Sequence, residues 1–366
     1  MRLKRVLLII SLFLISVPAV AWGAPLYSEM IVFGDSLSDT GNVHTASMAQ
    51  SLIPDPPPPY FDGRLSNGLI WVDQLAARLE IASPSPSLTG GTNYAYAGAK
   101  TGTEPRNRTS LVTREVLSIQ NTGTQIKTYL GDHPAGFRND QLVVLWGGAN
   151  NLVDTQTAVD TQKVVDNLEA ELVALNANGA KDVLVPNQID QSNAPIFNRT
   201  QGPAAQMAEI NRLFNTQLDS MLNDLEGSPG LNITIHRFDA FSLVKDVIAD
   251  PNQFGLSNVT DAALDLARFT PPFAAPYPVI ENPEDYLFWD YIHPTTVGHR
   301  LIGNGAFDAL TESSTQVPEP PSAVLVIIGI ASLLICCYGS RSTQAERWRV
   351  FIPRHVRSKR QLPVVE

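Results

Sequence analysis

Cysteine is nearly absent from this chain of 366 residues. The two cysteines, Cys336 and Cys337, are adjacent and lie in an apolar run near the C-terminus. The rest of the chain therefore has no disulfide, no thiolate metal site and no thiol nucleophile. Charged residues are also scarce, at 17%, whereas hydrophobic residues make up 44% and there are 27 prolines. This composition excludes a coiled coil and an intrinsically disordered chain.

Acidic residues outnumber basic residues about twofold in the body of the chain. The formal net charge is −10, yet three basic residues lie in the first 24 positions and seven lie in the last 26. The part between these ends has 16 Lys and Arg against 34 Asp and Glu. Such an acidic surface disfavours anionic partners, so we expect no nucleic-acid partner.

The N-terminus has the pattern of a signal peptide over residues 1–21. A basic start precedes the apolar run VLLIISLFLISV, and Ala-Val-Ala at 19–21 fits the small-x-small cleavage site. Cleavage after Ala24 is disfavoured because Pro25 would follow the cut. An uncleaved N-terminal anchor is the alternative, although the apolar run is short for a membrane span.

The C-terminus has three successive parts. A Pro-rich linker at 312–322 contains Val-Pro-Glu-Pro, an apolar segment follows at 323–338, and a basic tail occupies 339–366. The positive-inside rule keeps such a tail in the cytoplasm, which places the body outside, as the signal peptide does. We therefore expect export, with the apolar segment as a transmembrane helix before any processing.

Pro-Glu-Pro followed by an apolar helix and arginines resembles the PEP-CTERM sorting signal of exopolysaccharide-producing Gram-negative bacteria. The resemblance implies recognition and removal of the segment by an exosortase. The tail at 339–366 departs from the short arginine cluster of that signal. A simple C-terminal membrane anchor is the alternative, and both interpretations place the body at the membrane, at the cell surface or outside the cell.

The body alternates strand-like and helix-like segments, without an internal repeat. Apolar runs ending in polar residues, typical of strands buried in a parallel sheet, lie at 31–36, 142–148, 183–187 and 233–238. Helix-like stretches lie at 67–80, 157–179 and 204–227, and Gly179 and Gly227 fit as C-terminal stops. This alternation predicts a doubly wound α/β domain, whose ligands bind at the carboxyl ends of the strands.

Two polar segments offer a nucleophile and its base. Ser36 directly follows the first predicted strand, within Gly-Asp-Ser-Leu at 34–37. A serine hydroxyl needs an adjacent base, and that base needs a carboxylate to hold its tautomer. Asp290 and His293, three residues apart on a predicted tight turn, suit these tasks. Alone, Gly-Asp-Ser is typical of a turn, and Asp-x-x-His could instead supply two metal ligands.

Two glycine-rich loops offer hydrogen-bond donors. One loop covers 91–99, and the other covers 147–151 after the strand LVVLW. Acyl transfer builds negative charge on a carbonyl oxygen, and fixed N–H donors aimed at that oxygen stabilise it by about 3 kcal/mol each. Considered separately, each loop is more typical of a tight turn than of a donor site.

Together these segments resemble the GDSL esterases and lipases of the SGNH hydrolase superfamily over residues 28–311. The resemblance is carried by FGDSLSDTGN, YFDGRLSNGLIWVDQLA, GTNYAYAGAKTG, WGGANNL and DYIHPT. It implies a flavodoxin-like three-layer α/β/α sandwich with a central parallel sheet. The absence of Gly-x-Ser-x-Gly argues against the α/β-hydrolase fold.

The same resemblance implies a role for each matching residue. It implies Ser36 as nucleophile, His293 as general base and Asp290 as its orienting carboxylate. It also implies an oxyanion hole formed by the Ser36 amide, the Gly98 amide and the Asn150 side chain, with Gly91 as an alternative to Gly98. One departure is the residue after Asn150, which is Asn151 where the family usually has Asp.

These observations predict an exported serine esterase or lipase that uses no cofactor and acts on a small-molecule or lipid ester. Polysaccharide O-deacetylation and acyl transfer to an alcohol remain alternatives on the same centre. A noncatalytic surface or matrix protein is the alternative of another class.

Two further segments allow more than one structural interpretation. The Pro-rich stretch 53–60 predicts a rigid extended surface loop, and the aromatic, Pro-rich stretch 268–288 predicts either acyl-pocket lining or ordinary packing.

The two terminal signals predict the ends of the mature chain. We expect protein from the native cell to begin near Trp22. Intact-mass analysis checks both ends. A product ending near Pro320 would support exosortase-like removal, whereas one ending at Glu366 would reduce the C-terminal segment to an anchor. Cytoplasmic protein that retains residues 1–21 would contradict export.

Overall fold

The computed structural model describes residues 26–51, 53–110, 116–154, 158–199, 201–264 and 278–314. The predicted signal peptide at 1–21, the apolar segment at 323–338 and the basic tail at 339–366 lie outside these ranges, as does nearly all of the linker at 312–322. Within the described ranges, none of the helices combines the length and the apolar character that a membrane span requires.

The four predicted strands form one parallel sheet. The described strands are β1 (Glu29–Gly34), β2 (Arg106–Thr109), β3 (Val116–Ile119), β4 (Gln141–Trp146), β5 (Asp182–Pro186), β6 (Thr234–Phe238), β7 (Asn258–Ala262) and β8 (Tyr286–Phe288). The central sheet has the order β1-β4-β5-β6, and β2–β3 and β7–β8 form two small separate pairs. All residues of β4 are buried, as its continuous apolar run predicts for a strand covered on both faces.

Helices cover both faces of the central sheet. The described helices are α1 (Asn42–Ser51), α2 (Trp71–Arg78), α3 (Thr122–Asp132), α4 (Ala149–Asp154), α5 (Ala158–Ala177), α6 (Pro195–Asn198), α7 (Gln201–Glu226), α8 (Ala240–Ala249) and α9 (Thr296–Ser314). One apolar cluster joins alternate sheet residues such as Phe33 to α3, α5 and α7. The other joins the intervening residues, such as Val32, to α2 and α9. The predicted three-layer α/β/α sandwich is therefore confirmed.

The three helices predicted from the sequence are present, with small differences at their ends. The stretch 67–80 is helical only from Trp71, because the Asp73 carboxylate accepts the backbone N–H of Ile70 at 2.9 Å and caps the helix there. Helix α5 ends at Ala177, and Gly179 after it has a φ of +91°, as a C-terminal stop requires.

The glycine-rich loop at 91–99 runs along the free edge of β1 before it reaches the site. The N–H of Tyr94 donates to the carbonyl of Val32 at 2.8 Å, and the N–H of Tyr96 donates to that of Gly34 at 3.2 Å. Through these two hydrogen bonds the loop lies beside β1 like a short additional strand. The loop is thereby delivered to the carboxyl edge beside the end of β1.

The Pro-rich stretch 53–60 is not the extended surface loop that the sequence predicts. It turns at its end, where the N–H of Tyr60 donates to the carbonyl of Pro57 at 3.1 Å. Asp55 within it is fully buried, because its carboxylate is paired with the Arg108 guanidinium. A buried ion pair and a buried tyrosine hold this segment against the domain.

Candidate active site

The predicted site residues meet at the carboxyl edge of the sheet. Ser36 follows the end of β1 by two residues, and Asn150 lies in the first turn of α4, just after β4. Ser36, Gly98, Asn150 and His293 line one cavity of about 250 Å³. Residues far apart in the sequence therefore face the same space.

The turn that carries Ser36 is held by its neighbours. The carbonyl of Asp35 accepts the N–H groups of Ser38 and Asp39, each at 3.0 Å. The Asp35 carboxylate accepts the N–H of Leu37 at 3.1 Å. Burial raises the pKa of Asp35 to about 6, against the opposing effects of the Leu37 N–H and of His293. The turn is therefore built around a buried carboxyl, with Ser36 facing the cavity.

Asp290 and His293 are hydrogen-bonded to each other. His293 Nδ1 lies 2.7 Å from Asp290 Oδ2, and the backbone N–H of His293 donates to Asp290 Oδ1 at 2.8 Å. Burial by itself would raise the pKa of Asp290, but the charge of His293 and these hydrogen bonds together lower it below its usual range. Asp290 is therefore an ionised carboxylate that can fix the ring and stabilise an imidazolium.

A buried carboxylate joins the serine segment to the glycine-rich loop. The carboxylate of Asp39 accepts the N–H groups of Gly41 and Asn42, at 2.7 and 2.6 Å, at the start of α1. The same carboxylate accepts the N–H of Ala97 at 2.8 Å, one residue before Gly98. The Asn42 side chain also donates to the carbonyls of Asn93 and Ala95, at 2.8 and 2.9 Å. The two sequence motifs are thus folded as one unit.

Of the two candidate glycines, only Gly98 lines the cavity. Gly98 has a φ of +88°, in the left-handed region that favours glycine, and an added Cβ would lie 3.3 Å from the Arg108 side chain. Gly91 lies elsewhere, where an added Cβ would meet the carbonyl oxygen of Ser85 at 2.1 Å. Its requirement for glycine therefore comes from close backbone packing.

The two adjacent asparagines do different things. Asn150 donates one amide hydrogen to the carbonyl of Ala99 at 3.0 Å, and its side chain also borders the cavity. An amide group has two hydrogens, so the second is available to a ligand. Asn151 Oδ1 accepts the N–H of Thr101 at 2.9 Å. Since an aspartate oxygen accepts the same N–H, the departure from Asp preserves this contact.

Sequence reasoning missed Glu171 on α5. Its Oε1 accepts the N–H of Gly102 and the hydroxyl of Thr122, both at 2.7 Å. It thereby holds the loop that begins at Gly98. The sequence pattern that could have revealed Glu171 is a carboxylate on the apolar face of a helix. Glu171 follows Leu168 by three residues, and both are buried.

Two other buried histidines have charged surroundings that the sequence did not indicate. His236 Nε2 lies 2.8 Å from Asp182 Oδ1, so a second His–Asp pair exists, but neither residue lines the cavity with Ser36. His299 is buried near the site, and burial, followed by the charge of His293, lowers its pKa to about 3. His299 is therefore a neutral ring.

The cavity away from Ser36 is mainly apolar. Its walls come from α8, from the segment around β8 and from α9, and include Leu243, Val244, Val247, Leu287, Phe288, Leu301 and Ile302. Leu287 and Phe288, at the end of the stretch 268–288, line this cavity and also pack in a buried apolar cluster, whereas 265–277 lies outside the described residues. Polar side chains, among them Arg108 and Gln188, complete the lining.

The chain combines a three-layer α/β/α fold with a serine and a His–Asp pair at the carboxyl edge of its sheet, and it lacks the Gly-x-Ser-x-Gly nucleophile elbow. This arrangement is compatible with an ester hydrolase. The sequence profile of the family described as GDSL-like Lipase/Acylhydrolase matches residues 30–306. The chain belongs to this family. The predicted resemblance to the GDSL esterases and lipases, and the assignment to the carboxylic-ester hydrolases, are thereby confirmed.

Similar proteins come from bacteria and plants. A phosphatidylcholine-sterol acyltransferase of Aeromonas hydrophila is 27% identical over 320 residues, covering 77% of this chain and 90% of the relative. A GDSL esterase/lipase of Arabidopsis thaliana is 28% identical, covering 79% and 87%. A solved structure from the lipolytic G-D-S-L family of Veillonella parvula has a TM-score of 0.40 at 16% identity, covering 77% of this chain and 98% of that one.

The burial of Glu171 makes the free energy of unfolding depend on pH. Burial raises its pKa to about 7 from the ordinary 4.5, against the donors from Thr122, Gly102 and Gly123. The folded state therefore favours the protonated carboxyl of Glu171. The resulting stabilisation of the fold is fully present below about pH 4.5 and is lost as the pH rises through about 7. We expect the free energy of unfolding to fall less between about pH 5 and pH 8 in Glu171→Gln than in the wild type.

Urea denaturation at both pH values measures this difference. Glu169→Gln, an exposed position on the same helix, is the matched control and should keep the wild-type pH dependence. An equal loss of stability in the wild type and Glu171→Gln would contradict the prediction.

Proposed function

We propose that this protein is an exported serine esterase or lipase that cleaves esters of apolar acyl chains through an acyl-Ser36 intermediate. The observation that carries the proposed ester cleavage is one cavity of about 250 Å³. Ser36, His293, Gly98 and Asn150 border it together, and aliphatic and aromatic side chains form most of its remaining wall. A reactive polar group beside an apolar volume suits an ester whose acyl chain is buried.

In the acylation step, we assign His293 as the general base and Asp290 as the carboxylate that stabilises its charged form. His293 Nε2 takes the proton of the Ser36 hydroxyl while Oγ forms a bond to the ester carbonyl carbon. Asp290 stabilises the resulting imidazolium through Oδ2, which lies 2.7 Å from His293 Nδ1. An ionised, buried carboxylate is effective here because few water molecules screen it.

Negative charge on the carbonyl oxygen is stabilised by three N–H donors. We assign these to the backbone amides of Ser36 and Gly98 and to the side-chain amide of Asn150. The hydrogen bond from Asn150 to the carbonyl of Ala99, at 3.0 Å, supports the assignment because it fixes the amide beside the Gly98 loop. Donors held in advance need no reorganisation when the charge develops.

The tetrahedral intermediate then breaks its bond to the alcohol oxygen, which leaves with the proton held by His293. Water enters and gives a proton to His293 as its oxygen attacks the acyl-Ser36 carbonyl. Collapse returns the proton to Ser36 Oγ and releases the acid. Atoms and charges balance without a cofactor.

The apolar wall favours lipid or other long acyl esters over acetylated polysaccharide. An acetyl group would leave the space between α8 and α9 unfilled, whereas an acyl chain gains about 0.8 kcal/mol for each buried methylene. The complete set of Ser36, Asp290 and His293 favours an enzyme over a noncatalytic surface protein.

Acyl transfer is the second candidate. One relative at 27% identity is named a phosphatidylcholine-sterol acyltransferase. An alcohol can replace water in the deacylation step without any change in the residues used. Assays with and without an added alcohol acceptor distinguish the two outcomes.

Export is proposed from the sequence signals at the two termini. The basic-apolar start at 1–21 and the basic end at 339–366 indicate the same orientation. A body with 16 basic and 34 acidic residues between these ends is compatible with function outside the inner membrane.

Ser36→Ala is expected to abolish ester hydrolysis and labelling by an organophosphonate, because no other atom replaces Oγ as nucleophile. The wild type should hydrolyse p-nitrophenyl esters of longer acyl chains faster than p-nitrophenyl acetate or acetylated sugars. Hydrolysis rates over this panel, with circular dichroism of the variant as a control for folding, test both points. Labelling of a different serine, or a preference for acetate, would contradict the proposal.

Asn150→Ala is expected to lower kcat by about 10²-fold with a much smaller effect on KM, since the lost donor acts mainly on the developing oxyanion. Asn151→Asp should retain or modestly raise activity, because the acceptor for the Thr101 N–H persists. Steady-state kinetics of these variants and of Asn151→Ala check the assignment. If Asn151→Ala is as damaging as Asn150→Ala, the wrong asparagine has been assigned to the oxyanion hole.

A further inference from the structure

The Pro-rich stretch 53–60 ends at a residue that contacts the site. The hydroxyl of Tyr60 donates a hydrogen bond of 2.8 Å to Oδ2 of Asp290, although the two residues are 230 positions apart. The same oxygen lies 2.7 Å from His293 Nδ1. One carboxylate oxygen is therefore shared by the tyrosine and the histidine.

The other oxygen of Asp290 is occupied as well. Oδ1 accepts the backbone N–H groups of Ile292 and His293, at 2.9 and 2.8 Å. The whole residue is only 4% exposed, so water has little access to it. Without the Tyr60 hydroxyl, one acceptor position of Oδ2 would be left buried and empty, which costs free energy and loosens the orientation of the carboxylate.

The ring of Tyr60 is held so that its hydroxyl stays in place. It lies edge-on to Trp289, with ring centroids 6.1 Å apart and an interplanar angle of 89°. It also belongs to a buried apolar cluster with Val43 and Leu65. Trp289 in turn donates its backbone N–H to the carbonyl of His293 at 2.8 Å. Trp289 therefore links the two residues, through its ring to Tyr60 and through its backbone N–H to His293.

Tyr60 acts as a neutral donor. Burial, and then the negative charge of Asp290, raise its pKa well above the usual range of tyrosine. The charges of Asp55 and Arg108 also act on Tyr60, while the Asp35 carboxyl and the neutral ring of His299 lie within electrostatic reach of His293. Because a substitution at position 60 leaves all four of these groups in place, a change in the pH profile reports on the Tyr60 hydroxyl.

We propose that Tyr60 is a positioning residue of the triad, which orients Asp290 and moderates its negative charge toward His293. This inference rests on the proposed roles of Ser36, Asp290 and His293. A donor on Oδ2 withdraws charge from the carboxylate, so that Asp290 stabilises the imidazolium form of His293 less than a carboxylate without that donor would. The Pro-rich segment thereby contributes to catalysis through the residue at its end.

Removal of the hydroxyl has a predictable sign. In Tyr60→Phe the carboxylate attracts the His293 proton more strongly, so the acidic limb of the kcat/KM profile should move to higher pH. We expect kcat to fall by about tenfold, in line with the loss of a hydrogen bond to a charged group, and KM to change by less than about twofold.

Tyr94→Phe is the matched control, because the hydroxyl of Tyr94 also donates to a carboxylate, Asp132 Oδ2, at 3.3 Å and away from the site. It should keep the wild-type kcat and pH profile. An unchanged profile in Tyr60→Phe, or equal changes in both variants, would overturn the inference and reduce the contact to a structural one.

A second substitution tests the same hydroxyl without removing it. Fluorotyrosine at position 60 keeps the size of the ring but makes the hydroxyl a stronger donor, so the acidic limb should move to lower pH. A shift in the same direction as Tyr60→Phe, or no shift, also overturns the inference. Organophosphonate labelling of wild-type Ser36 tests the proposed function separately, since its absence would remove the triad itself.

Discussion

The close pairing of β1 and β4 at their carboxyl ends is the constraint on which the site depends. Gly34 lies opposite Trp146 at the last position of the parallel register. A Cβ at Gly34 would approach the Trp146 carbonyl oxygen to 2.8 Å, so only glycine permits this distance. The buried Gln125 side chain accepts the N–H of Gly34 at 2.9 Å and donates to its carbonyl at 2.8 Å, which satisfies both backbone groups where the strand ends. Ser36 therefore leaves the sheet at a fixed point beside the segment that carries Asn150.

Buried carboxyl groups hold the other segments that surround the cavity at the carboxyl edge of the sheet. Burial raises the pKa of Asp35 to about 6 and that of Glu171 to about 7, and it also raises the pKa of Asp39. These shifts mean that ionisation of the three groups opposes folding near neutral pH. In return, their oxygens accept N–H groups from Leu37, from the start of α1 and from the loop after Gly98, which aligns those segments before a substrate arrives. The body has no disulfide, so this alignment depends on hydrogen bonds and packing.

The cavity links the fold to the proposed substrate. Its reactive end comes from loops after β1 and β4, whereas its apolar wall comes from α8 and α9, which pack on the other side of the fold from α5 and α7. Variation in α8 and α9 could therefore change the acyl preference without disturbing Ser36 or its partners. In the proposed mechanism water and alcohol attack the same acyl-Ser36, so hydrolysis and acyl transfer differ only in the acceptor that reaches it.

The sequence by itself determined the α/β class, the four central strands and the residues proposed for chemistry, because buried parallel strands have continuous apolar runs and the motifs are short and ordered. Gly98 was favoured over Gly91 only because of the family resemblance. The prediction of an extended surface loop at 53–60 was wrong. Tertiary structure alone decided that Tyr60 contacts Asp290, that Glu171 supports the Gly98 loop and that α8 and α9 enclose an apolar volume. The physical reason is that strand and helix periodicity is local, whereas these contacts join side chains that are tens to hundreds of positions apart and exist only when the layers have packed.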